Sequence, residues 1–402
     1  MVEMKTCSRV YSEVLREHLA ENRQMAFVSG PRQVGKTTVC RELASSYVNW
    51  DDQDARDKIL KGPAEIAQAV GLQKITAQSP VLAFDEIHRY RRWKTFLKGF
   101  FDVYGQDVKI IVTGSSRLDV YKRGGDSLMG RYFLYRMHPL GVAELARPVV
   151  RREAIGSPCP LAEPEWAALW TYGGFPEPFV RRDPRFSRRW QELRQTQLLR
   201  EDVRELTRVQ ELDQMVALAS LLHGRSGDQV IYASLAKQVR VSENTARAWV
   251  GTLAALHNGF LVKPWHRNIA LAIRKEPKWF LRDWSVVEDP GKRAETFVAC
   301  QLLKAAEGWT DLGLGHFDLF YIRDKQKREV DFLVTKDSRP WFLVEVKHAE
   351  TSLSPVLAFM QEQTGAKHAF QVVIEEAYVE ADCFHVTKPV VVPARTFLSQ
   401  LF

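Results

Sequence analysis

A chain of 402 residues, 45% hydrophobic and 26% charged with no long biased tract, is too long for one ordinary core at roughly 100–200 residues per domain, and its composition argues against disorder. Lys and Arg outnumber Asp and Glu by 57 to 49, a net charge of +8, which favours an anionic partner without naming one. No stretch approaches the roughly 18 uncharged apolar residues of a membrane span, and the charged N-terminus is unlike a secretory signal, so a cytoplasmic multidomain protein with no membrane partner is expected.

The cysteines Cys7, Cys40, Cys159, Cys300 and Cys383 form no CxxC pair and have no His cluster of zinc spacing nearby. Reduced, structural thiols are expected.

Along the chain, "MAFVS" reads as a short buried strand and "TTVCRELASS" as a helix, with "GPRQVGKTT" between them. That junction matches G-x-x-x-x-G-K-[ST]. The loop Gly30, Pro31, Arg32, Gln33, Val34, Gly35, Lys36, Thr37 and Thr38 would wrap phosphate oxygens with its backbone N–H groups, which every residue but Pro31 carries, while Lys36 would neutralise the β/γ-phosphates and the Thr37 hydroxyl would take Mg²⁺. ATP and Mg²⁺ are the cofactors this implies.

Next, "VLAFDEIHRY" ends a buried-strand run in Asp85-Glu86. Carboxyl ends of strands in a parallel nucleotide-binding sheet face the ligand, so Asp85 is expected to hold Mg²⁺ through water and Glu86 to polarise the attacking water. A strand running into an acidic helix start gives the same pattern. His88 could take part in the chemistry or simply be exposed. In a third strand, "VKIIVTGSSRLDV", Thr113 or Ser115 could sense a γ-phosphate, and a Gly-Ser turn with a capping hydroxyl is the alternative.

These segments, with "SLMGRYFLYRMHPLGVAEL" and "GGFPEPF", resemble the AAA-type ATPases of archaea and bacteria that carry a C-terminal, restriction-endonuclease-like domain of unknown function. The resemblance runs nearly end to end. It makes Arg131 of the Gly130-Arg131 pair a candidate arginine finger, with Arg117 and Arg123 as competitors and a solvated Arg131 unrelated to phosphate as the alternative. A finger acting in trans implies a homo-oligomer, a ring or hexamer.

The proline-bearing "RREAIGSPCPLAEPE" reads as a loop or hinge, and "RRDPRFSRRW" as a basic helix face. "GDQVIYASLAKQVRVSENTARAWVGTLAALHNGFLVKPW" has helix-turn-helix form: a helix over about 232–239, the turn "RVS", and a second helix capped by Ser242 with Ala246, Val250, Leu253 and Leu256 as its buried stripe. "NGFLVKPW" then reads as a β wing. Lys237, Arg240, Asn244 and Arg247 would meet DNA phosphates or groove edges; packing or protein contact is the alternative use.

Near the C-terminus "REVDFLV" and "WFLVEVKHA" alternate as two strands joined by "TKDSRP". A period of two puts Asp331, Glu345 and Lys347 on one face. This is the D…(D/E)-x-K arrangement of the restriction-endonuclease-like fold, in which Asp331 and Glu345 would ligate Mg²⁺ and Lys347 would help activate water. Glu295, in the helical "KRAETFVACQLLKA", resembles that fold's helix-borne carboxylate. A hairpin with one solvated charged face gives the same alternation, and cleavage is a separate claim from fold.

The expected architecture is α/β: an AAA-type P-loop core over 1–145, a helical lid over 146–215, a winged helix over 216–266 and a restriction-endonuclease-like α/β domain over 267–402. The expected activity is ATP hydrolysis coupled to remodelling of DNA, Holliday junctions included. An ATP-gated, Mg²⁺-dependent, structure-specific endonuclease and a nucleotide switch that binds protein are the alternatives.

Overall fold

The apolar run Met25–Ser29 forms β1, buried along its whole length, as a strand covered on both faces of a parallel sheet must be. The computed structural model to which it belongs describes residues 8–74, 78–114, 128–198, 212–266 and 276–402. Its chain divides into two units, Thr6–His138 and Pro139–Phe402.

In the first unit β2 (Ser46–Asn49), β3 (Val81–Asp85), β4 (Lys109–Thr113) and β5 (Tyr132–Arg136) join β1 in the order β2-β3-β4-β1-β5. Every pairing is parallel. Register aligns the carboxyl ends: Asn49 lies beside Asp85, Asp85 beside Thr113 and Thr113 beside Val28. Aromatic side chains from the helix Trp93–Tyr104 seal one face, with Phe96 and Phe100 edge-on to Phe84 at 5.8 and 5.5 Å. The helix Lys36–Leu43 follows β1 directly, entered through Gly35 at φ 100°.

The second unit is built on a seven-stranded mixed sheet. Its strands are β6 (Gly259–Pro264), β7 (Lys278–Leu281), β8 (Phe317–Arg323), β9 (Glu329–Lys336), β10 (Arg339–Lys347), β11 (His368–Val373) and β12 (Val390–Pro393), in the order β12-β11-β10-β9-β8-β6-β7. β9 and β10 form a hairpin closed by Asp337 and Ser338, both at positive φ (49° and 64°), the backbone a two-residue type I′ turn requires. The helix Pro290–Asp311, capped by Asp289 accepting from Lys292 N at 2.8 Å, packs on β8, β9 and β10.

Residues 147–162 form neither helix nor strand, as the prolines of that stretch predict. The basic run continues into the helix Pro184–Gln197. The helices Tyr232–Val239 and Glu243–Ala255 fall where the sequence places them, with Ser242 Oγ accepting from Thr245 N at 3.1 Å. Ala246, Val250, Leu253 and Leu256 are buried, and Trp249 joins them. The strand read as a wing, β6, pairs antiparallel with β7 and also runs parallel to β8. It is therefore part of the large sheet as well as half of a hairpin. Cys40, Cys159, Cys300 and Cys383 are free thiols. Burial pushes the Cys300 thiol up to about 12, so it is inert at neutral pH.

Candidate functional site

The loop after β1 owes its shape to glycines. Gly30 has φ 144°, and a Cβ there would stand 2.2 Å from the Met137 carbonyl oxygen, so no larger side chain fits without backbone movement. Gln33 at φ 61° and Gly35 at φ 100° complete the turn. Arg9, itself buried, braces the loop from behind by donating to Val34 O and, at 2.6 Å, to His138 O.

Lys36 is buried and its Nζ donates to Gly30 O at 2.9 Å and Pro31 O at 2.7 Å. Burial lowers its pKa to about 8, against the pull of Glu86 and Asp85. A charge so desolvated is stabilised by any anion that enters the loop. Thr37 Oγ1 donates to Asp85 Oδ2 at 3.0 Å. Asp85, at the end of β3, also accepts from Tyr47 and Thr113. Burial and the Asp85 carboxylate hold the Tyr47 phenol well above its ordinary value. A hydroxyl and a carboxylate in direct contact are the hard-oxygen donor pair that Mg²⁺ takes, so the residues fit that ion.

Glu86 follows Asp85 at φ 53°. His88 Nε2 and Arg89 Nε each stand 3.6 Å from Glu86 Oε2. Burial and Asp85 raise the Glu86 carboxyl above the usual range, while Lys36, Arg89 and Arg32 pull it back. Lys36, Thr37, Asp85 and Thr113 thus converge at one end of the sheet with Glu86 beside them. Ser115, Arg117 and Arg123 lie outside the described residues.

Arg131 is not part of this group. Its backbone oxygen accepts from Met25 N at 2.9 Å, at the start of β1, whereas the loop follows the end of β1. Four rises of ~3.3 Å separate the two levels. The Arg131 side chain is held in a two-pronged pair with Asp102, at 2.7 and 3.1 Å.

A second cluster lies on the β8–β10 face of the other unit. Glu295, Asp331, Glu345 and Lys347 meet there: Asp331 Oδ2 accepts from Val346 N at 2.9 Å, and Lys347 Nζ contacts Glu345 Oε1 at 3.0 Å. Lys278, which the spacing did not single out, and Glu329, which alternation places on the same face as Asp331, complete it. Lys278, from β7, places its Nζ 2.8 Å from Glu295 Oε1, 2.6 Å from Glu329 Oε1 and 3.8 Å from Asp331 Oδ1, and Glu329 also pairs with Arg323 at 3.3 Å. Burial would lower the lysine pKa, but Glu295, Asp331 and Glu329 outweigh it and raise it instead.

A divalent ion between Glu295 and Asp331 would share its space with this ammonium, so the residues present do not fit one there. Among the described residues no group of three or more His, Cys, Asp or Glu is arranged to hold a metal ion. Glu345 Oε2 is buried with no hydrogen-bond partner.

Lys237, Arg240, Asn244 and Arg247 are all exposed at the helix-turn-helix segment. Arg240 takes the left-handed turn conformation at φ 59°. Arg247 lies 3.9 Å over the Tyr232 ring and pairs with Glu243 at 3.0 Å.

Residues 22–146 match the AAA domain family, which supports an AAA-type ATPase and suggests nucleotide binding at the loop after β1. Residues 163–289 and 290–389 match two families described as domains of unknown function, DUF8612 and DUF4143. Uncharacterized proteins of Mycobacterium tuberculosis and Mycobacterium bovis are each 24% identical over 340 residues, covering 81% of this chain and 71% of theirs. Among solved structures, AMPPCP-bound DnaA from Aquifex aeolicus is similar with a TM-score of 0.30 and 12% identity over 61% of this chain and 88% of that one. A signal-transduction ATPase with a tetratricopeptide-repeat sensor from Pyrococcus horikoshii gives 0.23 and 11% over 74% and 47%. No helix among the described residues is long and apolar enough to cross a membrane.

Proposed function

We propose that this chain is an ATP-hydrolysing, ring-forming machine of the cytoplasm that binds and remodels DNA. The observation that carries the first half is the convergence of Lys36, Thr37 and Asp85 with Glu86. With nucleotide bound, Lys36 would neutralise the β/γ-phosphates, Thr37 directly and Asp85 through water would hold Mg²⁺, which would offset charge on the phosphates, and Glu86 would polarise the attacking water as the candidate base. Residues Gly30–Thr38, Pro31 excepted, would supply the backbone donors.

Arg131 supports a ring only as a residue that serves a neighbour. It cannot reach the loop of its own chain, and it would have to exchange Asp102 for a phosphate of the adjoining subunit.

DNA is the partner because the net charge is +8 and because Lys237, Arg240, Asn244 and Arg247 lie exposed about one helix turn and one helix start, where a winged helix meets the duplex. Within Pro139–Phe402 the lid is assigned to 146–215, the winged helix to 216–266 and the restriction-endonuclease-like domain to 267–402. ATP turnover in the first domain then drives the DNA-bound modules, with a Holliday junction as the specific target. A second reading, an ATP-gated, Mg²⁺-dependent endonuclease, would use Glu295, Asp331, Glu345 and Lys347, and Lys278 among these carboxylates weighs against it.

ATP hydrolysis measured without DNA, with linear duplex and with a four-way junction at one salt concentration separates these. Stimulation by the junction with every strand left intact in Mg²⁺ is the expected outcome; nicks that vanish in Lys347→Ala would establish the endonuclease, and indifference to all DNA would end both. Binding itself gives an independent check. Replacing Lys237, Arg240 and Arg247 together by Ala should flatten the slope of log affinity against log salt by about 3, roughly one for each phosphate that is no longer neutralised. An unchanged slope would remove this face from the interface.

A further inference from the structure

We propose that Lys278 is the resident cation of the carboxylate cluster and that its ammonium keeps divalent metal out of it. This goes beyond the ATPase reading and does not depend on it.

Lys278 is 6% exposed, and its Nζ is enclosed by Glu295 at 2.8 Å, Glu329 at 2.6 Å and Asp331 at 3.8 Å, with the Tyr321 ring 5.6 Å away. Mg²⁺ or Mn²⁺ needs oxygen ligands at about 2.0–2.2 Å and brings two charges into the same few ångströms. Ammonium and metal therefore compete for one position, and the ammonium is covalently present. Three further carboxylate oxygens are engaged by the protein as well: Asp331 Oδ2 by Val346 N, Glu345 Oε1 by Lys347 and Glu329 Oε2 by Arg323. Glu345 Oε2 is buried with no hydrogen-bond partner, and one oxygen does not make a site.

The placement of Lys278 is fixed by its strand. β7 pairs with β6, and Gln229 bridges to Lys278 while Gln229 Nε2 donates to Tyr321 Oη at 3.0 Å. The lysine thus reaches the cluster from the hairpin after the helix-turn-helix and ties β7 to β9 and to the helix Pro290–Asp311. What would be a pair of metal ligands in a nuclease is here the acceptor half of an ion-pair network. The face is built to hold its strands together, and not to cut.

The test is Mn²⁺ binding by the full chain without nucleotide, followed by electron paramagnetic resonance of free Mn²⁺. Wild type should bind no more Mn²⁺ than Asp331→Asn. Lys278→Met should gain an Asp331-dependent ion, with affinity raised about tenfold or more as the competing charge leaves. Lys278→Gln, which keeps a hydrogen-bond donor, should behave like Lys278→Met, and Lys278→Arg like wild type; circular dichroism and a thermal melt check each fold. Wild-type Mn²⁺ binding that disappears in Asp331→Asn would overturn the proposal even if every Lys278 variant failed to fold. So would folded Lys278→Met and Lys278→Gln proteins that gain no ion.

Discussion

Glu86→Gln is expected to bind ATP as wild type does and to hydrolyse it about 10²–10⁴ times more slowly, the usual contribution of a positioned general base. The substitution keeps size and shape beside Asp85, so the left-handed backbone at φ 53° is not further strained. It removes only the charge that can accept a proton. Lys36→Ala should fail differently, because the buried ammonium that receives the phosphates is gone and nucleotide affinity falls with turnover. A fluorescent-nucleotide titration and phosphate release, run on both variants, separate the two defects. Turnover by Glu86→Gln at the wild-type rate would move the base elsewhere, with His88 the nearest group to examine, at 3.6 Å. The pH profile offers a second reading of the same residue. Burial and Asp85 raise the Glu86 carboxyl, and only its ionised form accepts a proton. Activity should therefore fall as pH drops through that raised value, at a higher pH than an ordinary glutamate would give, and this acid limb should vanish from whatever activity Glu86→Gln retains.

Much of this site could be read from the sequence because it is local. The loop is one unbroken run, Asp85-Glu86 sits at the end of a strand recognisable by its apolar residues, and the parallel register then brings Thr113 alongside. Tyr47 and Arg9 could not be read this way. Tyr47 reaches Asp85 from a neighbouring strand, and Arg9 reaches Val34 from just before the helix Val10–Glu21; neither interaction has a fixed sequence spacing. The second cluster divides along the same line. Asp331, Glu345 and Lys347 follow from the period of two in one hairpin, while Lys278 arrives from a strand whose pairing with β6 places it there. Alternation along a hairpin says which side chains share a face but not what crosses that face from elsewhere. For Arg131 the motif supplied a residue type, and only the strand direction revealed that it stands at the end of the sheet away from the loop.

Lys304→Met is expected to cost the second unit about 3–5 kcal/mol, the usual result of breaking a buried ion pair by removing one partner. Lys304 lies in the helix Pro290–Asp311, is 2% exposed, and pairs with Glu144, whose side chain is fully buried. Its Nζ also donates to Pro139 O at 3.1 Å, and from the same helix Gln301 Oε1 accepts from Val142 N at 3.0 Å. These bonds fasten 139–144 to the long helix. Methionine fills much of the lysine's volume, so the loss is not mainly a cavity; it is the Glu144 charge left in a place water does not reach. The double variant Lys304→Met with Glu144→Leu removes both charges and should recover most of the stability, since an apolar pair of similar volume does about as well as a buried ion pair. Urea unfolding of the two variants beside wild type makes the comparison. Equal destabilisation in the single and double variants would mean that packing between these segments, and not the charge, holds residues 139–144 to the helix. Recovery in the double variant would show that the pair contributes little net stability and that its removal is costly only when one charge stays behind.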